Sequence, residues 1–370
     1  MSQTHGRYRP FISLWGILFF LFLSLSVAHG FEIKGFSDVD FLKSTLKGDP
    51  NENGSFSLGA IDLYVSELVT DHIEILTEMA LEDGGVDVER LQIGYIFNDA
   101  LKIRAGRVHN ALGYWNITFH HGKQMQTTID RPFFIKFEDE GGLFPVHLVG
   151  VWTAGRYSLG PLIFGYDLMV GNGSRIMNVG ATEGVELDPN NATDDNKNKA
   201  VSFRLQVSPR FMTALKIIGS GSFSKVDGYD STGLRVLQVR QQILNAALIY
   251  DQEGQPFELL SEVFWVNNKD ELAGLGTSRN TFYYVQLGYT LIDFLTPYTR
   301  FEQSLIQEAT PTRAGDPYMA ALSAVDRWIA LVGVRYDISA ETALKAEVRR
   351  VHERGIENHS EYAVQWSFAF

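Results

Sequence analysis

The sequence predicts an all-β chain, a transmembrane antiparallel β-barrel of about 16 strands. A single domain at 31–370 follows a signal peptide at 1–30. Three observations carry this: an export leader, a two-residue hydrophobic rhythm along nearly the whole mature chain, and a C-terminal strand that alternates up to a final phenylalanine.

The leader comes first. Arg7 and Arg9 precede an apolar run from Phe11 to Val27, and Ala28-His29-Gly30 sets small residues before a cut expected ahead of Phe31. This is the secretory layout. The run is short for a helical bilayer crossing, which takes about 20 apolar residues. Cleavage removes two arginines and no acid, so the formal charge moves from −12 to −14. An acidic chain without a basic stripe is a poor match for nucleic acid. With no cysteine there is neither a disulfide frame nor a thiolate metal site.

The mature chain reads as strands. Ile73, Ile75, Thr77, Met79 and Leu81 alternate with Glu74, Leu76, Glu78, Ala80 and Glu82. Leu91, Ile93, Tyr95 and Phe97 alternate with Arg90, Gln92 and Gly94, and Leu101, Ile103 and Ala105 with Lys102, Arg104 and Gly106. Val201, Phe203, Leu205 and Val207 oppose Ser202, Arg204, Gln206 and Ser208. The pattern returns in Trp328–Tyr336 against Arg327, Gly333, Arg335 and Asp337, and in Leu344, Ala346 and Val348 against Lys345, Glu347 and Arg349. Such alternation marks sheets wet on one side. A soluble sandwich shares it, but two features favour lipid. Apolar faces end in aromatics suited to interfacial girdles: Tyr95, Phe97, Trp265, Tyr289, Trp328, Tyr336, Tyr362 and Trp366. Connections also alternate, with short turns near 70–71, 98–99, 158–161, 208–210, 292–296 and 337–341. Longer loops are expected at 107–145, 172–199, 223–238, 267–280, 304–325 and 352–361. Both chain ends fall on the short-turn side. In lipid an open sheet edge costs several kcal/mol per backbone group, so the sheet must close. At about sixteen strands the cylinder is too wide for its own side chains to fill, and an aqueous lumen is expected.

The last strand is the most specific signal. Tyr362, Val364, Trp366, Phe368 and Phe370 share one face, and Phe370 ends the chain. This resembles the terminal strand of Gram-negative outer-membrane proteins, which implies an assembly signal read by the barrel-assembly machinery and a place in the outer membrane.

With that pattern the chain resembles the porin superfamily and, more loosely, its phosphate-selective type. The nearest stretches are GRVHNALGYWN (106–116) and RPFFIKFEDEGGLFPVHLVG (131–150). The resemblance implies a long third loop folded into the lumen, passive diffusion of small hydrophilic solutes or ions, outer-membrane lipid as surroundings, and a homotrimer. The third loop is mixed in charge rather than basic, unlike phosphate specialists.

Asp130, Glu138, Asp139 and Glu140 of that loop are the candidate acidic side of a constriction. Arg90, Lys102, Arg104, Arg327, Arg335, Lys345 and Arg349, on the predicted lumenal faces, are its candidate basic wall. Rings of charge set ion preference in pores, although Arg335 and Glu347 could simply pair. His109, His120, His121 and His147 do not form a chelating spacing, and the run 188–195 lacks the ligand pattern of a calcium loop, so no metal and no cofactor are expected. With no Gly-x-Ser-x-Gly, His-Glu-x-x-His or phosphate loop, an enzyme is not expected. The alternatives to a diffusion channel are a substrate-specific anion channel for phosphate or a carboxylate, and a partner-binding barrel such as a sheath for an electron-carrying partner. The latter would borrow its haem, since no Cys-x-x-Cys-His occurs.

Overall fold

The computed structural model describes residues 32–82, 85–119, 122–138, 140–181, 184–188, 197–252 and 254–370. The segment 1–30, expected to be a signal peptide, lies outside the described residues, as do Asp139, His120 and His121. The strands are β1 (Glu32–Ser44), β2 (Ser55–Leu58 and Ile61–Leu68, interrupted at Gly59-Ala60), β3 (Ile73–Glu82), β4 (Gly85–Asn98), β5 (Leu101–His109) and β6 (His147–Leu159). There follow β7 (Leu162–Asn172), β8 (Lys199–Pro209), β9 (Leu215–Tyr229), β10 (Arg235–Tyr250) and β11 (Phe257–Asp270). The last are β12 (Thr277–Tyr289), β13 (Leu295–Leu305), β14 (Arg327–Ser339), β15 (Thr342–Glu353) and β16 (His359–Ala369). Each pairs antiparallel with its chain neighbours, and β16 returns to β1 from Phe36↔Ala369 to Ser44↔Glu361. The sheet is a closed 16-stranded barrel.

The dyad rhythm sorts side chains as expected. Leu91, Ile93, Val332, Val348 and Val364 face outward and are exposed. Exposed apolar side chains recurring on strand after strand form a lipid-facing belt, far beyond the scattered patches of a water-soluble protein. Of the aromatics assigned to girdles, Tyr95, Phe97, Trp265, Tyr289, Tyr336, Tyr362 and Trp366 are exposed on this surface. No described helix is long and apolar enough to cross a membrane; the strands do so.

Two of the expected loops are mostly strand. Pairing of β9 with β10 continues to Tyr229↔Arg235, and of β11 with β12 to Lys269↔Thr277, leaving 230–234 and 271–276 as turns. These polar ends read as loop because their outward residues, such as Lys225 and Arg240, are charged. Their inward residues Val226, Leu237 and Val239 are buried and keep the ladder going.

The expected frame also slips within β4, away from the turns. Glu78 opposes Arg90 while Met79 opposes Val88, so Glu89 is an extra residue in β4. This bulge turns Glu89 and Arg90 inward together, both buried. Gly106 answers on β5: its φ is +135° and a Cβ there would lie 2.0 Å from the Leu91 carbonyl oxygen, so only glycine fits.

The main hydrophobic core sits inside the barrel. Leu237, Val239, Ile243, Ala247 and Ile249 of β10 and Leu260, Phe264 and Val266 of β11 point inward, while Leu244, Leu248 and Trp265 point to lipid. Over these residues both faces are largely apolar, and the inner one is covered by loops.

Candidate functional site

The third loop, residues 110–146, fills much of the lumen. It contains a short helix, α1 (Trp115–Thr118). Trp115, Phe134 and Phe144 are buried against Phe264 of β11 and Phe282 and Tyr284 of β12, with ring centroids 5.0–6.5 Å apart in the contacts that join them to the wall. A second helix, α2 (Pro317–Ala321), in the loop 306–326, caps this cluster. Tyr318 donates to the Leu143 carbonyl at 2.7 Å, and Asp316 caps α2 through Tyr318 N and Met319 N. The expectation of a lumen too wide to fill is therefore corrected on this side: loops supply the side chains the wall cannot.

Polar anchors fix the rest. Glu262 accepts from Tyr114 N, Asn245 Nδ2 and Tyr284 OH, each at 2.9 Å, and Tyr284 accepts from Trp115 Nε1 at 2.8 Å. Arg335 donates to the Gln124 and Gln126 carbonyls at 2.7 and 2.6 Å. Lys345, fully buried, donates to the carbonyls of Lys123 and Thr128 at 2.6 and 3.0 Å. Arg300 reaches the Asp130 carbonyl at 2.8 Å, and Glu347 accepts from Ile129 N at 2.8 Å.

The predicted basic wall does face inward, but most of it is engaged. Arg335 and Lys345 are loop anchors, and Arg349 binds Glu347 at 2.7 Å and Asp130 at 2.9 Å. Arg90 pairs with Glu78 at 2.5 Å and lies over the Tyr64 ring; Arg104 pairs with Glu74 and lies over Trp152. Arg327 lies over Phe133. Lys102 lines open space near the short turns.

The predicted acids also separate. Glu138 is buried and points to the barrel wall. It accepts from Val146 N at 2.6 Å and His147 N at 2.9 Å, and its other oxygen lies 3.0 Å from His147 Nδ1. His147 Nε2 lies 3.0 Å from Glu89. An imidazole placed between two carboxylates is favoured in its cationic form. Burial acts to raise the Glu138 carboxyl, but His147 outweighs it and holds the group below its ordinary 4.5. The stabilisation is thus complete above about pH 4.5 and fades as pH falls through the lower folded value. Glu138→Gln is expected to cost about 3 kcal/mol at pH 7, because it leaves His147 beside one carboxylate instead of two. Urea unfolding at pH 7 and at pH 4 should show that loss shrinking with acid. Asp130 and Glu140 do border open space. Burial pushes the Asp130 carboxyl up, yet Lys136, Arg349, Lys123 and Arg300 together hold it well below the carboxylate range.

Open volume remains along β1–β9 and, toward the long loops, beside β13–β16. A 780 Å³ chamber near the short turns is lined by Lys102, Arg104, Arg156, Arg204 and Lys216 against Asp99 and Asp167, and floored by Tyr114. It shares Arg104 with a 430 Å³ space lined by Tyr64, Ser66, Gln92 and the acids Glu32, Glu67 and Glu74. At mid-depth a 700 Å³ cavity holds Asp38, Asp40, Asp62, Asp130 and Glu140 against Lys123 and Arg131. A 340 Å³ cavity toward the long loops shares Asp130, Arg131 and Glu140 with it. Between the two systems the register places one cross-strand row, Tyr64↔Glu78↔Arg90, a step from Asp62↔Ala80 on one side and Ser66↔Leu76↔Gln92 on the other. Near β1 the polarity reverses the expectation: the wall offers Asp38 and Asp40, and the loop offers Lys123 at 3.3 and 3.4 Å. Tyr64, Asp38 and Asp62 were missed because β1 and the interrupted β2 show weak alternation. No group of metal-ligating side chains occurs among the described residues.

A closed barrel with a lipid-facing belt and a loop folded through its lumen defines a transmembrane β-barrel whose interior is narrowed from within. Its fold is that of the outer-membrane porins. OmpT of Vibrio cholerae superposes with a TM-score of 0.59 at 12% identity, covering 92% of this chain and 97% of that one. The outer-membrane channel DcaP of Acinetobacter baumannii gives 0.58 at 11% identity, with 92% and 97% covered. An anion-selective porin from Comamonas acidovorans gives 0.56 at 11% identity, with 92% and 99% covered. No protein-family profile and no curated protein matches the sequence.

Proposed function

We propose that the chain is an outer-membrane channel for passive diffusion of small hydrophilic solutes, with its long loops outside and its short turns in the periplasm. The carrying observation is the pair of cavity systems, an acidic cavity at mid-depth and a basic chamber at the periplasmic mouth, with the Tyr64–Glu78–Arg90 row between them. A solute would enter beside Asp130 and Glu140, pass that row, and leave through the chamber lined by Lys102 and Arg104. Polar side chains lining such a route replace lost hydration, and the narrowest ring sets selectivity.

Planar-bilayer recording tests this. Stepwise conductance is expected, and Tyr64→Ala, which clears the row, is expected to raise it about twofold or more by widening the narrowest ring. Absence of steps from folded protein would sink the reading. The basic chamber favours a second reading, preference for a small anion such as phosphate or a carboxylate: five cations face two acids there. Conductance that saturates with that anion supports it. A trimer form is known for OmpT of Vibrio cholerae, which supports a homotrimer here, checked by crosslinking in membranes. The Tyr362–Phe370 face supports recognition by the barrel-assembly machinery.

A further inference from the structure

The outward surface carries a feature that the channel does not use. At the long-loop end of β9–β11, Lys225 opposes Arg240 and Arg240 opposes Lys269 in register. All three point away from the lumen, because their neighbours Ser224, Val226, Gln241, Asn268 and Asp270 are buried inward. One row closer to the membrane the register runs Phe223↔Gln242↔Asn267↔Arg279, and the next holds Leu244↔Trp265. Arg279 also faces outward and is exposed. Three cations thus stand in register on adjacent strands, about 4.8 Å apart, with Arg279 one row lower on the next strand, just above an interfacial tryptophan.

Like charges directly opposite one another destabilise a sheet. Here one acid answers them: Glu271 bridges Lys225 at 2.9 Å and Arg240 at 2.7 Å. No carboxylate stands within salt-bridge distance of Lys269 or Arg279 among the described residues. On a chain of net charge −12 this local excess is not compositional drift. Its depth selects the ligand. The cations lie where strand leaves lipid, and the apolar column of Leu244, Leu248 and Trp265 runs down from them on the same face. An anion that fits must carry several phosphates on a headgroup and acyl chains to lie along that column.

We propose that this face binds the phosphorylated glycolipid of the outer leaflet, lipid A or the lipopolysaccharide built on it. The Lys225, Arg240, Lys269 and Arg279 side chains hold the phosphates, and Leu244 and Trp265 meet the acyl chains. The assignment rests on the proposed orientation, with the long loops outward.

The test uses the mature, full-length barrel in detergent, titrated with bisphosphorylated lipid A, monophosphorylated lipid A and phosphatidylglycerol, and read by native mass spectrometry. Bisphosphorylated lipid A is expected to bind at least about tenfold more tightly than phosphatidylglycerol, since each basic side chain near an anionic headgroup adds to the attraction. The monophosphorylated form should fall between. K225Q/R240Q/K269Q/R279Q is expected to lose at least about tenfold in lipid A affinity, while heat-modifiable migration and conductance stay unchanged. E271Q, which removes the competing acid, should bind lipid A at least as tightly as the native chain. Equal lipid A binding by the quadruple variant, phosphatidylglycerol binding as tight as lipid A, or loss of binding in E271Q would overturn the proposal. Lipid A binding without conductance would sink the channel and leave this site standing; the converse would sink the site alone.

Discussion

Replacing Glu262 with alanine is expected to release the first half of the third loop and to raise single-channel conductance severalfold. Glu262 is buried and receives three donors, two from the wall and one from the loop backbone at Tyr114. Removing its carboxylate strands all three, at about 1–3 kcal/mol for each donor left unsatisfied. The loop is held there by other polar contacts to the wall, chiefly Gly113 N to Ser220 Oγ at 2.8 Å, Tyr114 OH to Asp251 at 2.7 Å and Trp115 Nε1 to Tyr284 OH. Tyr284 itself loses its acceptor in the variant, so the damage propagates to Trp115. The remaining anchors, Lys345 and Arg335, grip residues 123–128 from the opposite wall and should keep that half in place. Partial undocking of this kind opens the floor of the periplasmic chamber, which Tyr114 forms. Bilayer recording reads the conductance, and limited chymotrypsin proteolysis reads new cleavage at Tyr114 or Trp115, which are buried in the native loop. Glu262→Gln keeps one acceptor oxygen and should fall between. An alanine variant with native conductance and native protection would mean that the aromatic cluster alone holds the loop.

The split between what was legible and what was not follows from what a two-residue rhythm reports. It reports which side of the sheet a residue faces. Lys345 and Arg349 were therefore placed inward correctly, and Trp366 and Tyr336 outward. The rhythm does not report what lies opposite an inward residue. Lys345 looks like a pore cation in sequence, yet it is a fully buried donor to loop carbonyls. Glu138 sits among acids in sequence, yet its partner is His147, nine residues on, where the loop rejoins the wall. The rhythm also fails where both sides are dry: Ile243–Tyr250 of β10 is apolar but for Asn245, because its inner face meets the loops rather than water. A signal for that existed. Trp115, Phe133, Phe134, Phe137 and Phe144 crowd a segment without strand periodicity, and a loop so aromatic must bury itself somewhere. The bulge at Glu89 left no comparable mark.

Deleting Phe370 is expected to reduce assembled barrel in membranes at least about tenfold, because it opens the seam where an unmet backbone group costs several kcal/mol in lipid. The seam is explicit. Gly35 N donates to the Phe370 carbonyl at 2.8 Å, and Phe370 N donates to the Gly35 carbonyl at 2.9 Å, beyond the last residue of β16. The Phe370 ring lies against Gly35 so closely that an added Cβ would sit 2.2 Å from it. The residue therefore has two separable roles, a closing pair in the sheet and the proposed end of an assembly signal. Gly35→Val separates them. It leaves Tyr362, Val364, Trp366, Phe368 and Phe370 intact as a signal but pushes the ring off the seam. If closure is what matters, G35V and the deletion should lower heat-modifiable barrel to a similar extent, both in cells and on refolding of purified chain into vesicles. If recognition is what matters, the deletion alone should fail in cells, and it should refold in vesicles as well as the native chain. The reciprocal hydrogen bonds argue for the first outcome: they exist whether or not any machinery reads the terminus, and no other strand can supply them to β1.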